Sequence, residues 1–584
     1  MLKETNKMWN LKIIFAIFFT VWLSFSTCIS TTRSMFLPAI VDENTSQLVE
    51  VEISIVPGKG DVYISAVEDI GHLTRESLNT AAEVAFKILE REKDCDIIFK
   101  IKTPVGRVEG PSGGAGFTIL ILSALQRKTI IDGFSITGTI NKDGKIGYVG
   151  RIPSKYEVFA KSGGKLFVVP ILDYNDKIQL LILKKIYGVN FYESDNIIES
   201  YEIATGKKPT FNYSIPAEKE VTFPPAKYSP SSFRKINEKM LKDAREKIKY
   251  VDKNLAEHFN SRIKNSENAF KTNNYYTSSN LLFLTLIDME FSTFEQNKFE
   301  IEKSNLKKCW ENYEKILEKT RKNIDNFEII SSSEVRYAWS KLRSNSSVEK
   351  TLDRENVANN LYDFYNIITS KYWCYAAIDF VQIANSSDTP NGSIDEYVKG
   401  LALKKYEQAK EYGGDDFQLQ ASEKLINDGR YIASLFTSSM VISEWKANNL
   451  EEDFGPERNF TFIWPQLYYS HALVYKEVYN DTQVYKRLYY LAIELEDSLS
   501  EVKKIIEEVK ETAETEEKRD YSEIIKTTEE ETKGAEEIEV EKLRKVSIFY
   551  PEEVKYKYIS ILTIFATILL ILYIVTFMRM KEKK

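Results

Sequence analysis

The sequence predicts an α+β domain followed by a mainly α-helical domain, with terminal transmembrane segments. Three observations carry this. Residues 48–206 alternate short β-branched runs with helical periodicities. Residues 231–389 contain no proline and are rich in Tyr, Phe, Lys, Glu and Asn. Residues 13–30 and 558–578 are almost wholly apolar in a chain whose charged fraction is 28%.

The bulk composition narrows the function classes. At 584 residues the chain has room for two or three domains. A net charge of -7 and no basic stripe with interleaved aromatics exclude a general nucleic-acid binder. Four cysteines, Cys28, Cys95, Cys309 and Cys374, are too few for a disulfide scaffold and lack metal-ligand spacing. Two readings stay open for Cys309 and Cys374: a bridge, if the body lies outside the cytoplasm, or buried free thiols. His72, His258 and His471 are scattered, so no metal site is expected.

Residues 1–30 read as a signal peptide or an N-terminal membrane anchor: Lys3, Lys7 and Lys12 precede the apolar run, and no small-x-small cleavage site follows. Residues 557–578 are long enough to span a bilayer, and the basic tail 579–584 follows them. Both ends are then cytoplasmic and the body between them extracytoplasmic. Asn-x-Ser/Thr sequons at Asn44, Asn212, Asn345, Asn385, Asn391, Asn459 and Asn480 agree weakly with that side.

Between these ends the elements follow from local patterns. Residues 48–56 alternate as a half-buried strand, and 57–60 turn into a second strand at 61–67. Leu78, Ala81, Ala82, Ala85, Ile88 and Leu89 recur at helical spacing, which predicts a helix over 74–91. A strand at 97–101 leads to a glycine-rich turn, and the apolar run 116–125 reads as a buried helix. Residues 134–140 and 146–149 flank Asn-Lys-Asp-Gly-Lys and predict a hairpin. A helix is expected over 155–161 with Ser154 as its N-cap, then a strand at 166–169, a helix at 178–184 and a strand at 189–192. The α+β domain is bounded at 45–206. Five prolines make 207–232 a linker. Residues 233–500 read as a helical bundle or irregular solenoid, with Val357, Leu361, Phe364 and Ile368 on one apolar face. Residues 501–556 are a charged helical stalk.

The chemistry is concentrated in 109–155. Glu109-Gly110-Pro111-Ser112-Gly113-Gly114 precedes the buried helix, Thr137-Gly138 follows, and Gly150-Arg151-Ile152-Pro153-Ser154-Lys155 closes the run. A serine at a helix start and a lysine at another, with no histidine between, suggest a Ser-Lys hydrolase. A lysine acts as base only if its pKa is pulled well below ~10.4, usually by desolvation.

In order and spacing, residues 48–206 resemble the proteolytic domain of the Lon family of Ser-Lys peptidases. The resemblance covers roughly a quarter of the chain. It implies Ser112 as nucleophile, Lys155 as general base and Thr137 as the residue that holds the lysine on the serine. Glu109 takes a supporting or gating role, and Gly110, Pro111 and Gly113 shape the turn around Ser112. Thr139 stands where an acidic residue is usual, and the run before Lys155 departs from the family's common Gly-Gly-Leu-Lys-Glu-Lys. No G-x-x-x-x-G-K-[ST] loop is present, so no nucleotide, metal or other cofactor is expected. The implied protein is an ATP-independent, membrane-anchored serine endopeptidase acting on unfolded or exposed polypeptide segments. The expected partners are polypeptides and the membrane, with a homo-oligomer left open. A membrane-tethered helical scaffold with an inactive domain is the alternative, and an esterase or amidase with the same dyad a second.

Overall fold

The computed structural model describes residues 28–40, 46–65, 70–103, 109–353, 356–384, 394–450 and 458–515. The apolar segments 1–27 and 557–578, most of the stalk, the basic tail and the sequons at Asn44, Asn385 and Asn391 lie outside them. Among the described residues no helix is long and apolar enough to cross a membrane. The chain divides into two compact units, Met1–Ile506 and Glu507–Lys584. All three sheets and the helices up to Ile506 lie in the first.

The first sheet is built from β1 (Thr31–Ile40), β2 (Ser46–Pro57), β3 (Val62–Ile64) and β4 (Cys95–Ile101) in the order β1-β2-β4-β3. β2 pairs antiparallel with both neighbours, Met35 facing Val51 and Ile53 facing Phe99, and β3 runs parallel to β4. Val49, Val51, Ile53 and Ile55 alternate inward and meet α1 (His72–Ile88) and α2 (Gly114–Gln126) in one core.

β1 is an addition to the expected strands. Met35 and Leu37 point inward, but Pro38 and the preceding apolar run mask the pattern, and an edge strand tolerates a proline. Cys28 is bonded to Cys95, so residues 28–30 belong to this domain and not to the apolar segment before it.

The expected strand over 134–140 is two strands. β5 (Phe134–Ile136) joins a parallel sheet with β8 (Leu166–Val169) and β9 (Asn190–Glu193). β6 (Thr139–Ile140) forms the anticipated hairpin with β7 (Ile146–Gly147). The break falls at Gly138, whose φ of +155° ends the first strand.

The helix after the hairpin, α3, spans Ile152–Lys161, three residues earlier than expected. Ser154 therefore sits inside its first turn and is not the N-cap. Arg151 takes that place in a left-handed conformation, and Pro153 suits a first turn because its missing N–H is not needed there. α4 (Tyr174–Tyr187) and an unforeseen α5 (Ile197–Ala204) complete the domain.

β8 separates two cores. Leu166 and Val168 face the core of α1 and α2, whereas Phe167 and Val169 face a second core with Ile152, Tyr156 and Phe159 of α3. That second core continues into the helices beyond 231, through Phe259, Leu282, Phe291 and Phe364.

These helices are α6 (Ser232–Lys247), α7 (Lys253–Lys271), α8 (Tyr275–Ser292), α9 (Gln296–Leu317), α10 (Phe327–Glu349), α11 (Val357–Ile383), α12 (Lys399–Tyr412), α13 (Asp416–Asn427), α14 (Tyr431–Asn449), α15 (Ile463–Glu477) and α16 (Thr482–Thr515). Consecutive pairs such as α7–α8 and α10–α11 pack closely, and alternate helices such as α6–α8 and α9–α11 stack on them. The expected apolar face of Val357, Leu361, Phe364 and Ile368 is buried on α11. Cys309 of α9 is bonded to Cys374 of α11.

The proline-rich stretch 207–230 has no regular element, as expected, but it is pinned along α7. Ile215 N–H donates to Asn254, Val221 N–H to the Asn265 side chain at 2.9 Å, and Phe223 is buried.

Candidate active site

Ser112 lies in a short 3-10 turn, Pro111–Gly113, that feeds directly into α2. Every residue of α2 from Gly114 to Leu125 is buried, so the turn is fixed to the first core. Side chains of α1 hold its approach. Thr74 Oγ1 donates to the carbonyl of Gly110 at 3.1 Å, and Ser77 Oγ to that of Pro111 at 3.2 Å. Gly110 has φ +120° and ψ 155°, a conformation glycine alone adopts readily. Pro111 is exposed, while Ser112 and Gly113 are half-buried at the N-terminal end of the helical run. Their backbone N–H groups sit at the positive end of the α2 dipole, where an oxyanion is stabilised.

Glu109 has a defined structural place. Its Oε1 accepts from Leu73 N–H at 3.1 Å in the first turn of α1. An anion is favoured there by the orphan N–H groups and the helix dipole. A Cβ at Gly71 would stand 1.4 Å from Glu109 Oε2, so only glycine admits the carboxylate. Glu109 thus ties the loop before Ser112 to the helix whose Thr74 and Ser77 hold the turn.

Gly138 clamps the serine from the other side. Its N–H donates to the carbonyl of Ser112 at 3.0 Å, and its carbonyl accepts from Ala115 N–H at 3.1 Å. Thr137 is fully buried, its N–H bonded to Val168 of β8. Its hydroxyl lies 3.5 Å from the Ser112 carbonyl, at the outer limit of a hydrogen bond. The bond from Thr137 to Lys155 expected from the sequence is not among those the described residues make.

Lys155 is 2% exposed, in the first turn of α3. Burial pulls its pKa down to about 8. No carboxylate pairs with it among the described residues, and the positive end of the α3 dipole disfavours the ammonium further. Its neighbours Ile152 and Phe159 are buried, as the desolvation argument requires, and Val158 is half-buried. At pH 7 about a tenth of a lysine with this pKa is neutral, against fewer than about one in a thousand for a free side chain.

Two residues further along the same helix stands Glu157, which the sequence does not single out. It is 4% exposed, and its carboxylate accepts from Val357 and Ala358 N–H at 2.7 and 2.8 Å, at the start of α11. Tyr187 and Lys161 bind the same carboxylate at 2.6 and 3.0 Å. Only its apolar surroundings hint at this in the sequence; a partner two hundred residues away leaves no local signal.

A buried, depressed lysine on one core and a serine at the mouth of a helix on the other is an arrangement suited to acyl transfer. Residues 40–189 match the model of the Lon protease (S16) C-terminal proteolytic domain. Relatives include the Lon protease of Mesomycoplasma hyopneumoniae (strain 232), 29% identical over 132 residues, which is 21% of this chain and 14% of the relative. Lon protease 2 of Bacillus subtilis (strain 168) is 28% identical over 164 residues, 26% of this chain and 29% of the relative. The archaeal Lon protease of Thermoplasma volcanium is 25% identical over 137 residues, 23% of this chain and 21% of the relative. The chain thus spans less than a third of the length of these relatives, and its helices beyond residue 231 lie outside the matched stretch. Residues 40–189 of this chain are thus similar to the proteolytic domain of the Lon (S16) proteases.

Proposed function

We propose that the protein is an ATP-independent, membrane-anchored serine endopeptidase that cleaves unfolded or exposed polypeptide segments with a Ser112–Lys155 dyad. The observation that carries this reading is the burial of Lys155, which brings its pKa to about 8 with no carboxylate paired to it among the described residues. Neutral Lys155 takes the Ser112 hydroxyl proton as Oγ attacks the scissile carbonyl carbon. The oxyanion is met by N–H groups at the start of α2. The ammonium then gives its proton to the leaving amine as the C–N bond breaks, and water hydrolyses the acyl-enzyme by the reverse sequence.

ATP independence rests on the lack of a phosphate-cradling loop in the sequence. The membrane reading rests on the apolar segments 13–30 and 558–578. Two disulfides, Cys28–Cys95 and Cys309–Cys374, support an extracytoplasmic body, since such bridges persist in oxidising compartments.

One observation favours the rival scaffold reading: Lys155 Nζ makes no hydrogen bond to Ser112 or Thr137 among the described residues. Catalytic hydrogen bonds are often long before substrate binds, so the test is activity. Full-length protein in nanodiscs is expected to degrade an unstructured protein without ATP, and Ser112→Ala and Lys155→Ala to be inert. Equal inertness of all three across pH 6–10 would establish the scaffold.

A further inference from the structure

The helical region holds a cavity of about 530 Å³, within the range of ligand pockets. It is far from empty of chemistry. Phe283, Trp339, Trp373 and Phe380 are among its walls, and Arg336 is on its lining. Arg336 is 4% exposed. Among the described residues its one protein hydrogen bond runs from Nη1 to the Ser332 carbonyl at 3.0 Å, and no carboxylate lies within ion-pair distance. Its guanidinium instead stacks near aromatic faces, 4.2 Å from the Trp464 ring, 4.8 Å from Phe380 and 5.6 Å from Trp339.

A buried guanidinium carries five donors and a fixed charge. Aromatic faces offset part of the loss of water, but they accept none of the in-plane N–H groups. Elsewhere in these helices buried cations are neutralised by carboxylates: Lys322 by Glu334 and Asp395, Arg262 by Asp288, Lys371 by Glu302. Arg336 departs from that practice, and it does so where there is room for a guest.

Of the four acids that also line the cavity, Asp243 is exposed, and half-buried Glu444 makes no ion pair with Arg336 among the described residues. Asp379 pairs with Lys239 at 2.7 Å, and Asp415 caps α13 through Phe417 and Gln418 N–H at 3.1 Å. Lys239, Asp243 and Arg487 are exposed, so the outer lining carries both signs. A dianion would meet this mixed rim with one buried cation to receive it. A monoanion with a flat, two-oxygen head matches a single guanidinium fork, and an apolar body matches the aromatic walls.

We propose that this cavity is a binding site for a carboxylate carried on an apolar, aromatic-sized body, with Arg336 as the residue that takes the carboxylate. Two sources share that chemistry: a free small acid, or the C-terminal carboxylate of a polypeptide ending in an apolar residue. Trp339 and Trp373 stand in the wall, so occupancy changes their fluorescence.

The test uses the full-length protein in nanodiscs, titrated by calorimetry and tryptophan fluorescence. The probes are 4-phenylbutyrate against 4-phenylbutanol, and the tripeptide Gly-Leu-Phe as free acid against its amide. Expected is saturable binding of at least one acid, with its neutral counterpart about tenfold or more weaker. Arg336→Met removes that preference. Arg336→Lys keeps the charge but loses the fork and binds the acid about tenfold more weakly. Binding of the small acid alone assigns the site to a small molecule; binding of the peptide acid alone assigns it to a chain terminus. Equal binding of acid and neutral probe by the parent, or no binding of either acid, overturns the proposal even where Arg336→Met fails to fold. So does an acid preference that survives Arg336→Met.

Discussion

Glu157 binds the first turn of the helix that begins at Val357, two residues beyond the buried Lys155 on the same turn-and-a-half of α3. The carboxylate therefore joins the lysine's helix to the helical region by two charge-assisted bonds in a buried setting. The turn that carries Ser112 leads into α2, which packs in the other core. The relative placement of the two cores sets the Ser–Lys geometry, and Glu157 is one of the bonds that fixes it.

Glu157→Ala is accordingly expected to lower stability by about 3 kcal/mol, since it leaves two buried N–H groups and the Lys161 and Tyr187 partners without an acceptor. Glu157→Gln, which keeps the shape but aims an amide N–H₂ at one donor, is expected to cost about half of that. Chemical denaturation gives both values. Hydrogen exchange should rise in the first turn of α11, and kcat should fall more than KM rises. Unchanged exchange in α11 would show that the contact does not hold the helix start.

Lys155 ties activity and stability to the same titration. Under the proposed dyad Lys155 must be neutral to act as base, so kcat/KM is expected to rise about tenfold per pH unit below about 8 and then level off. The stability effect has the opposite chemical origin but a definite sign. The folded-state pKa is depressed from 10.5 to about 8, so the unfolded chain binds more protons between those values and stability rises with pH across that window. Below about pH 8 the buried ammonium costs about 3 kcal/mol. Lys155→Met should thus be inactive yet more stable than the parent at pH 7, with the gain vanishing above about pH 10.4. Thermal denaturation at pH 7 and pH 10 measures it, and a parent-like melting curve at pH 7 would sink the claim.

The serine end of the site is legible in the sequence because its signals are local. A Pro-Ser-Gly-Gly turn before the largely apolar run 117–125 specifies a buried helix start whatever the rest of the chain does. Lys155 is legible through its spacing, but the start of its helix is not. Ser154 reads as the N-cap, and Pro153 as a favourable first-turn residue only once Arg151 is seen in a left-handed conformation. The strand pattern at 134–140 is right in composition and silent on partner, because periodicity says nothing of which sheet a residue joins. β1, Glu157 and Arg336 depend on contacts made far along the chain. Resemblance assigns Thr137 to the lysine, whereas its hydroxyl faces the Ser112 carbonyl.

The two disulfides close loops of 67 and 65 residues. By loop-closure entropy each is expected to contribute about 4 kcal/mol. Protein produced in an oxidising compartment should show no free thiol after unfolding, by maleimide labelling and intact mass. Reduction should lower the melting temperature, and Cys309→Ser with Cys374→Ser should do so without touching the serine turn. Four free thiols in protein isolated from its native source would remove the support these bonds lend to the proposed extracytoplasmic body.

Gly138 offers the sharpest separation between folding and catalysis. A Cβ there would stand 2.4 Å from Ile146 Cγ2, and its φ of +155° disfavours a side chain regardless of space. Gly138→Ala is therefore expected to cost about 1–3 kcal/mol. Because the same residue bonds both the Ser112 carbonyl and Ala115 N–H, the displacement is transmitted to the nucleophile, and kcat should drop about a hundredfold. Adding Ile146→Ala removes the clash but not the backbone strain, so the double variant should regain little of the rate. Gly163→Ala is the control: φ is also positive, at +83°, but nothing lies within 4 Å and no bond reaches the serine. It should lose stability alone. If the two glycine variants lost rate equally, the backbone clamp on Ser112 would have no special part in placing the nucleophile, because strain anywhere in the domain would then have the same effect.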